Sequence, residues 1–159
     1  MKERVIQLLT DLKIKYRWLD HPAVYTVDDL NNLNEDIKPI KNLLLQEDDG
    51  KRKFLVVMAG NERLDLKDIR IKLGSKRLRF ASDKTLFQTF GITHGSVSIF
   101  GFLHGGSTDV EVIIDKEIIQ DEELSFHPNY NTATIFFASD KLEPILQKMG
   151  CKYTFMKLY

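Results

Sequence analysis

The chain has 159 residues, of which 43% are hydrophobic and 29% are charged, a composition typical of a folded globular domain and not of a disordered segment. Its 23 basic residues equal its 23 acidic residues, so the molecule has no overall charge that would attract nucleic acid. No stretch approaches the ~20 apolar residues of a membrane span, and the N-terminus lacks the apolar core of a signal peptide, so we expect one cytoplasmic domain over residues 1–159, without membrane contact.

The first half of the chain is predicted to alternate between helices and strands. Side chains that can accept hydrogen bonds from a helix N-terminus stand at Thr26, Asp65 and Ser82, and glycines that can end a helix stand at Gly74 and Gly91. These signals and the apolar periodicity predict helices over 2–14, 26–33, 66–73 and 83–90, and strands over 16–19 and in the apolar runs LLL and FLVVM.

The second half contains three β-branched and aromatic runs of strand length, DVEVIID, ELSFH and NTATIFFAS. A helix over about 140–149 follows, with Ser139 as its cap, Pro144 in its first turns and Gly150 at its end. Helices and strands interleave without a repeat or a linker. We therefore expect a single α+β domain, built on a mixed β-sheet with helices packed outside it.

Standard catalytic motifs are absent from the sequence. It contains no nucleophile elbow, no P-loop, no HExxH zinc motif and no dinucleotide-binding fingerprint. The four histidines lack the i, i+4 spacing of helical zinc ligands, so we expect neither a metal site nor a cofactor. The single cysteine, Cys151, excludes an internal disulfide, which fits a reducing cytoplasm.

One segment is strongly basic, although the chain as a whole is neutral. Between residues 67 and 79 a single acid, Asp68, stands against six basic residues. A run of like charge is more often only a solvated surface, but it could also contact the phosphates of RNA. The six are Lys67, Arg70, Lys72, Lys76, Arg77 and Arg79.

Two other segments are unusually rich in glycine or in polar residues. In THGSVSIFGFLHGG, from Thr93 to Gly106, a Gly-Ser turn could present main-chain N–H groups to a developing negative charge, or it could be a plain turn. In SFHPNYNTATIFF, the residues from His127 to Asn131 precede a strand. Such residues serve either as turn formers or as the polar rim of a pocket.

A lysine also stands at the head of an apolar strand. Lys41 and Asn42 immediately precede LLL, the first strand of a predicted hairpin whose second strand is FLVVM. A lysine at this position can keep its ammonium in water while its stem covers apolar surface. It can equally hold a cation beside a buried pocket.

Several of these blocks, in matching order, resemble one known family. Lys41-Asn42 before LLL, RLDLKDI with LGSKRLRFAS, GSVSIF and FHPNYNTATIFF are similar to the prolyl-tRNA synthetase-associated editing domains, the YbaK-like family. The likeness begins in HPAVYTVDDL, reaches the terminal helix, and is greatest to the free-standing members that hydrolyse alanyl-tRNA(Pro). It implies the editing-domain fold and hydrolysis of the ester that joins a mischarged small amino acid to the 3′ end of tRNA.

The resemblance also implies which residues form the site. Lys41 matches the family's essential lysine and would bind the terminal adenosine phosphate or the carbonyl. Main-chain N–H groups around Gly95 and Ser96 would stabilise the oxyanion, while the free ribose hydroxyl of the substrate orients the water. His127 would line the pocket and orient the aminoacyl group. Further polar contacts would come from Asn42 and Asn131.

The sequence departs from the family at one position of the candidate oxyanion loop. Ile99 stands where the family's Gly-x-x-x-Pro loop ends in proline, and a residue there would contact the substrate and affect which amino acid is accepted. The implied partners are the acceptor end of mischarged tRNA(Pro) and prolyl-tRNA synthetase. The acceptor stem would contact Arg70, Lys72, Arg77 and Arg79.

Three other functions fit the same sequence. The chain could deacylate a different mischarged product, such as Cys-tRNA or Ser-tRNA. It could be a non-catalytic module that binds tRNA or a synthetase and whose loop diverged at Ile99. It could also hydrolyse a small molecule in the same pocket without binding RNA.

Overall fold

The computed structural model describes residues 1–33, 37–105 and 109–159, so Gly106 of the glycine-rich segment lies outside the described residues. The helices in the described part are α1 (Lys2–Asp11), α2 (Val27–Asn31), α3 (Leu66–Leu73), α4 (Asp83–Phe90) and α5 (Leu142–Lys148), with 3-10 helices at Ile99–Leu103, Ile118–Gln120 and Ser139–Lys141. The strands are β1 (Tyr16–Asp20), β2 (Ile40–Glu47), β3 (Lys53–Ala59), β4 (Leu78–Phe80), β5 (Val110–Asp115), β6 (Glu123–Phe126), β7 (Ala133–Ala138) and β8 (Lys152–Met156).

The strands form two sheets. The larger sheet has the order β4-β2-β3-β5-β8, in which β4, β2 and β3 pair antiparallel and β3, β5 and β8 pair parallel. The smaller sheet is antiparallel, with the order β1-β7-β6. The predicted α+β class with a mixed sheet and flanking helices is confirmed. The second sheet and the strands β4 and β8 were not predicted.

The predicted hairpin forms the centre of the larger sheet, and both of its faces are buried. Alternate residues of a strand point to opposite faces. On one face, Leu44, Leu55 and Val57 join the main core, which also contains residues of α1, α4, α5 and the smaller sheet. On the other face, Leu45 and Phe54 join a second cluster under α3. Burial on both faces explains why these strands are continuous apolar runs without polar alternation.

The helix caps predicted from the sequence are confirmed for α2, α3 and α4. Thr26 accepts a hydrogen bond from the N–H of Asp29, whose carboxylate accepts one from the Thr26 N–H in return. The predicted cap of the last helix is wrong. Ser139 makes no capping hydrogen bond, because the chain first forms a 3-10 turn over Ser139–Lys141 and α5 begins only at Leu142.

Within the described residues, no helix combines the length and the apolarity that crossing a membrane would require.

The contact between the Ile99–Leu103 3-10 helix and α4 gives a test of this packing. A Cβ added at Gly101 would lie 2.7 Å from the ring of Phe90, which is fully buried. We expect Gly101→Ala to lower the free energy of unfolding by about 1–3 kcal/mol, because the ring must move within a packed core. Urea denaturation measures this change.

Gly105→Ala is the matched control. A Cβ there would meet nothing within 4 Å, so we expect a change below about 0.5 kcal/mol. Equal changes in the two variants would contradict the packing described here.

Candidate functional site

A cavity of about 280 Å³ lies beside the first half of β2. Its volume is near the lower end of the range for small-ligand sites, about 300–1,000 Å³. The cavity therefore suits one end of a ligand and not a whole macromolecule. Its lining comes from residues 24–27 and Leu30, residues 39–44, Phe80 and Ala81, Leu86, His94, Gly95 and Val97, and residues 125–127 with Thr134.

The first half of β2 borders this cavity with an unpaired strand edge. The main-chain oxygen of Leu44 accepts a hydrogen bond from the Ala81 N–H at 2.9 Å, so even-numbered residues of β2 direct their main-chain groups toward the β4 side. The paired residues of β4 reach only Leu45 to Glu47. The N–H and C=O of Asn42 therefore face an edge to which β4 supplies no partner.

Lys41 and Asn42 both border the cavity, but their side chains leave β2 on opposite faces because they are successive strand residues. Asn42 shares its face with Leu44 and the main core, and its Oδ1 is buried without a hydrogen-bond partner among the described residues. The Lys41 ammonium donates a hydrogen bond to the main-chain oxygen of Glu62 at 2.6 Å. No described carboxylate forms an ion pair with Lys41. Two of the three N–H donors of its ammonium are therefore available to a ligand.

The candidate oxyanion loop places Gly95 at the cavity, in a conformation with φ of +88° that favours glycine. No described residue accepts a hydrogen bond from the Gly95 N–H. Ser96 is placed differently, since its side chain is buried away from the cavity lining and its N–H already donates to the Thr93 oxygen at 3.2 Å. Gly95 is therefore the better placed of the two predicted donors.

Two predicted substrate contacts do not reach the cavity. The side chain of Ile99 is 0% exposed and packs in the main core at the start of a 3-10 helix, while Val97 lines the wall. Asn131 donates from Nδ2 to the Val24 oxygen at 2.9 Å, and its own main-chain oxygen accepts from the Val24 N–H at 3.1 Å. Asn131 thus fixes the position of Val24, which lines the cavity, but does not line the cavity itself.

His127 lines the cavity as a neutral imidazole. Its Nδ1 lies 2.8 Å from the Ala133 oxygen, and a carbonyl can only accept, so Nδ1 carries the proton and Nε2 is the acceptor. Burial lowers the pKa of His127 below its ordinary value of 6.5, and the nearby His21 lowers the pKa further, against the opposing effect of the bond to Ala133. The ring therefore offers an acceptor, and not a positive charge, near neutral pH.

The predicted basic segment is divided between two places. Arg70 and Lys72 lie on α3, which packs on the sheet face opposite Asn42, and Lys72 is bound by Asp68 and by the Lys157 oxygen, both at 2.9 Å. Arg79 directly precedes Phe80, which lines the cavity. Arg77 lies at the other end of β4, where its Nε is 3.8 Å from Asp48 Oδ2. Of the four, only Arg79 is adjacent in sequence to a lining residue.

The sequence did not identify Tyr25, Phe80 or Thr134 as site residues, although HPAVYTVDDL and FHPNYNTATIFF contain two of them. Tyr25 and Phe80 are 63% and 54% exposed at the cavity, a degree of exposure that is unusual for large aromatic side chains.

Across the described ranges, no three His, Cys, Asp or Glu side chains are grouped as a metal site would need.

Comparison with known proteins identifies the family. The model of the aminoacyl-tRNA editing domain matches residues 21–144. Over 159 residues the chain is 35% identical to the prolyl-tRNA editing protein ProX of Acetoanaerobium sticklandii, covering 99% of this chain and 97% of the relative. The chain belongs to the aminoacyl-tRNA editing domain family. Editing is hydrolysis of the aminoacyl ester, so the protein is an aminoacyl-tRNA deacylase.

More distant relatives cover nearly the same length. The prolyl-tRNA synthetase associated domain-containing protein 1 of Xenopus laevis is 25% identical over 156 residues, covering 94% of this chain and 92% of the relative. A solved structure described as a candidate trans-editing enzyme for prolyl tRNA synthetase superposes with a TM-score of 0.70 at 19% identity, covering 98% of this chain and 95% of that one. This last match confirms the editing-domain fold.

The buried imidazole of His127 predicts how stability depends on pH. Because the pKa of His127 is lowered in the folded state, the unfolded chain binds the proton first as the pH falls. The stabilisation is complete above the ordinary value of 6.5 and is lost as the pH falls through the folded pKa. Urea midpoints between about pH 7.5 and 5 should therefore fall less steeply with falling pH for His127→Gln than for the wild type.

The exposed His94 supplies the control for this series. We expect His94→Gln to follow the wild-type pH dependence. A His127→Gln curve parallel to that of the wild type would show that the ring is not buried in its neutral form.

Proposed function

We propose that the protein is a trans-editing hydrolase that removes alanine from mischarged tRNA(Pro). The observation that carries the proposal is the 35% identity, over 99% of the chain, to a protein named as a prolyl-tRNA editing protein. The acceptor end of tRNA(Pro) is then the substrate, and prolyl-tRNA synthetase, which produces the mischarged tRNA, is the expected partner. Such a role places the protein in the cytoplasm, with the translation machinery.

The chemistry of an aminoacyl ester matches the polar groups of the cavity. An activated ester needs a positioned water and donors for the oxyanion. The Gly95 N–H and the main-chain N–H of Asn42 on the open edge of β2 are the proposed donors, each worth roughly 3 kcal/mol in the transition state. The free ribose hydroxyl of the substrate orients the water. His127 Nε2 accepts a hydrogen bond from the α-ammonium of the aminoacyl group.

Selectivity against the cognate prolyl ester follows from the size of the cavity. A binding pocket that accepts proline favours it over alanine, but a second pocket too small for proline can spare the cognate product. Apolar side chains held by the main core, Leu44, Leu86, Val97 and Phe126, supply such a wall. Because Ile99 lies in the core behind this wall, the replacement of the family proline acts on the loop and not on the contact surface.

The proposed substrate contacts outside the cavity use the two exposed aromatic residues and nearby cations. Unpaired bases at the end of a tRNA stack on aromatic side chains. Tyr25 and Phe80 are placed to stack on the terminal bases, and Lys41 to bind the adjoining phosphate. Arg79, which directly precedes Phe80, extends this surface toward the acceptor stem.

Single-turnover deacylation of Ala-tRNA(Pro), with Pro-tRNA(Pro), Ser-tRNA and Cys-tRNA in parallel, tests the proposal. We expect rapid loss of the alanyl ester alone, and a rate lower by about 10²- to 10³-fold in Lys41→Ala, because a cation that binds the substrate is lost. Lys53→Ala is the matched control, since Lys53 is also a strand lysine whose ammonium is near a main-chain oxygen, that of Gly50 at 3.5 Å, but it lies away from the cavity.

The pattern of substrates separates the competing functions. Faster cleavage of the cysteinyl or seryl ester would assign a different mischarged product. Binding of tRNA without cleavage of any ester would contradict a hydrolase and favour a binding module, whose affinity would fall steeply with salt.

The aromatic contacts give an independent test. We expect Tyr25→Leu and Phe80→Leu each to raise KM for the aminoacyl-tRNA about tenfold while kcat changes little, because each removes one stacking surface. Phe87→Leu is the control, since Phe87 is 63% exposed but does not line the cavity. An equal effect of all three variants in steady-state kinetics would rule out a specific role for the two cavity aromatics.

A further inference from the structure

Two histidine nitrogens, a hydroxyl and a carbonyl form a hydrogen-bonded chain that ends at the cavity. His21 follows β1, and Thr134 lies in β7, which pairs with β1. The Nε2 of His21 is 2.8 Å from Thr134 Oγ1, and its Nδ1 is 2.8 Å from the main-chain oxygen of Pro22. Thr134 is a lining residue of the cavity, whereas His21 does not line it.

The carbonyl of Pro22 determines which group donates in each of these two hydrogen bonds. A carbonyl oxygen can only accept, so the Nδ1 of His21 must carry a proton. In the neutral ring Nε2 is then an acceptor, and the hydroxyl of Thr134 must donate to it. The oxygen of Thr134 therefore keeps its lone pairs for a ligand in the cavity.

The three groups are arranged as in enzymes that activate a hydroxyl, where the hydroxyl donates to a base and a third group orients the base. Here Thr134 is the hydroxyl, His21 is the base, and the Pro22 carbonyl orients it. Both bonds, at 2.8 Å, lie within the range of about 2.6–3.2 Å that proton transfer requires. Thr134 is 2% exposed, so its hydroxyl is shielded from bulk water and is held in one orientation by His21.

We propose that Thr134 and His21 form a proton relay that activates the hydrolytic water, an inference that rests on the hydrolysis of Ala-tRNA(Pro) proposed above. Thr134 Oγ1 accepts a proton from the water while its own proton passes to Nε2 of His21. The water oxygen forms a bond to the ester carbonyl carbon, and the C–O bond to the ribose 3′-oxygen then breaks. The proton held by His21 returns through Thr134 to that 3′-oxygen, which leaves a free amino acid and an intact tRNA.

His127 has a different role from that of His21, although the two ring centroids are only 6.0 Å apart. Its Nδ1 is bound by Ala133, and no described hydroxyl donates to its Nε2. Burial also lowers the pKa of His127, which makes that ring a weaker base. His127 orients the aminoacyl group, the ribose hydroxyl orients the water, and the relay takes the proton.

Substitution of the hydroxyl tests the relay directly. In single-turnover and steady-state deacylation of Ala-tRNA(Pro), we expect Thr134→Val to lower kcat by about 10²-fold or more with little change in KM, as for loss of a general base. Thr134→Ser retains the hydroxyl and should restore most of the rate. Thr154→Val, an exposed threonine of β8, is the matched control for the change of side chain.

A second measurement examines the hydrogen bonds without relying on turnover. Long-range nitrogen NMR of the ring should show His21 in the wild type with its proton on Nδ1 and with Nε2 as the acceptor. Thr134→Val should shift the Nε2 resonance while the Nδ1 resonance, bound to Pro22, stays in place.

Each result bears on one proposal. A kcat of Thr134→Val equal to that of the wild type would contradict the relay but not the deacylase function. A His21 ring with its proton on Nε2 would do the same. An alanyl adduct on Thr134, detected by intact-protein mass during single turnover, would also overturn the relay, because the hydroxyl would then be a nucleophile. Failure of the wild type to cleave any of the esters would overturn the proposed function itself.

Discussion

The site depends on one constraint, the incomplete pairing of β2. A central strand normally has its main-chain groups bonded on both sides, but β4 is only three residues long and leaves the first half of β2 without a partner there. An open edge of this kind attracts other strands unless it is covered. Here the 24–30 segment and the 94–97 loop lie beside it, and the enclosed space is the cavity. The strand that forms the hairpin core therefore also leaves main-chain donors and acceptors without a β4 partner at the cavity.

The parts of the fold that the sequence predicted are those determined by local signals. Thr26, Asp65 and Ser82 cap helices through neighbours three residues away, and the hairpin is joined by a short turn, so each can be recognised within a few residues. The smaller sheet joins β1 to β7 across more than a hundred residues, and no local pattern specifies that pairing. The strands β4 and β8 were missed because they lack a long apolar run. Both lie at edges of the larger sheet, where β4 has only three residues and β8 includes exposed polar ones.

The difference between local signals and distant contacts also applies to the predicted site residues, only some of which reach the cavity. The family resemblance identified Lys41, Asn42, Gly95 and His127, and all four line the cavity. It also identified Ser96, Ile99 and Asn131, whose surroundings depend on a turn, on the core and on the Val24 main chain. Thr134 was missed because a threonine in a β-branched strand looks like an ordinary strand residue. Only the distance to His21 distinguishes it.

The loop that carries Gly95 is restrained although it lacks the family proline at position 99. Proline would stiffen this loop through its fixed φ, but burial does the same here. Ile99 and Phe100 are fully buried, the Ser98 hydroxyl accepts a hydrogen bond from the Phe100 N–H at 3.2 Å, and Asn129 donates to the Phe100 oxygen at 2.8 Å. Side chains in a close-packed core have little freedom to move. A wall held in this way can exclude a larger amino acid, because widening the cavity would require the core behind it to shift.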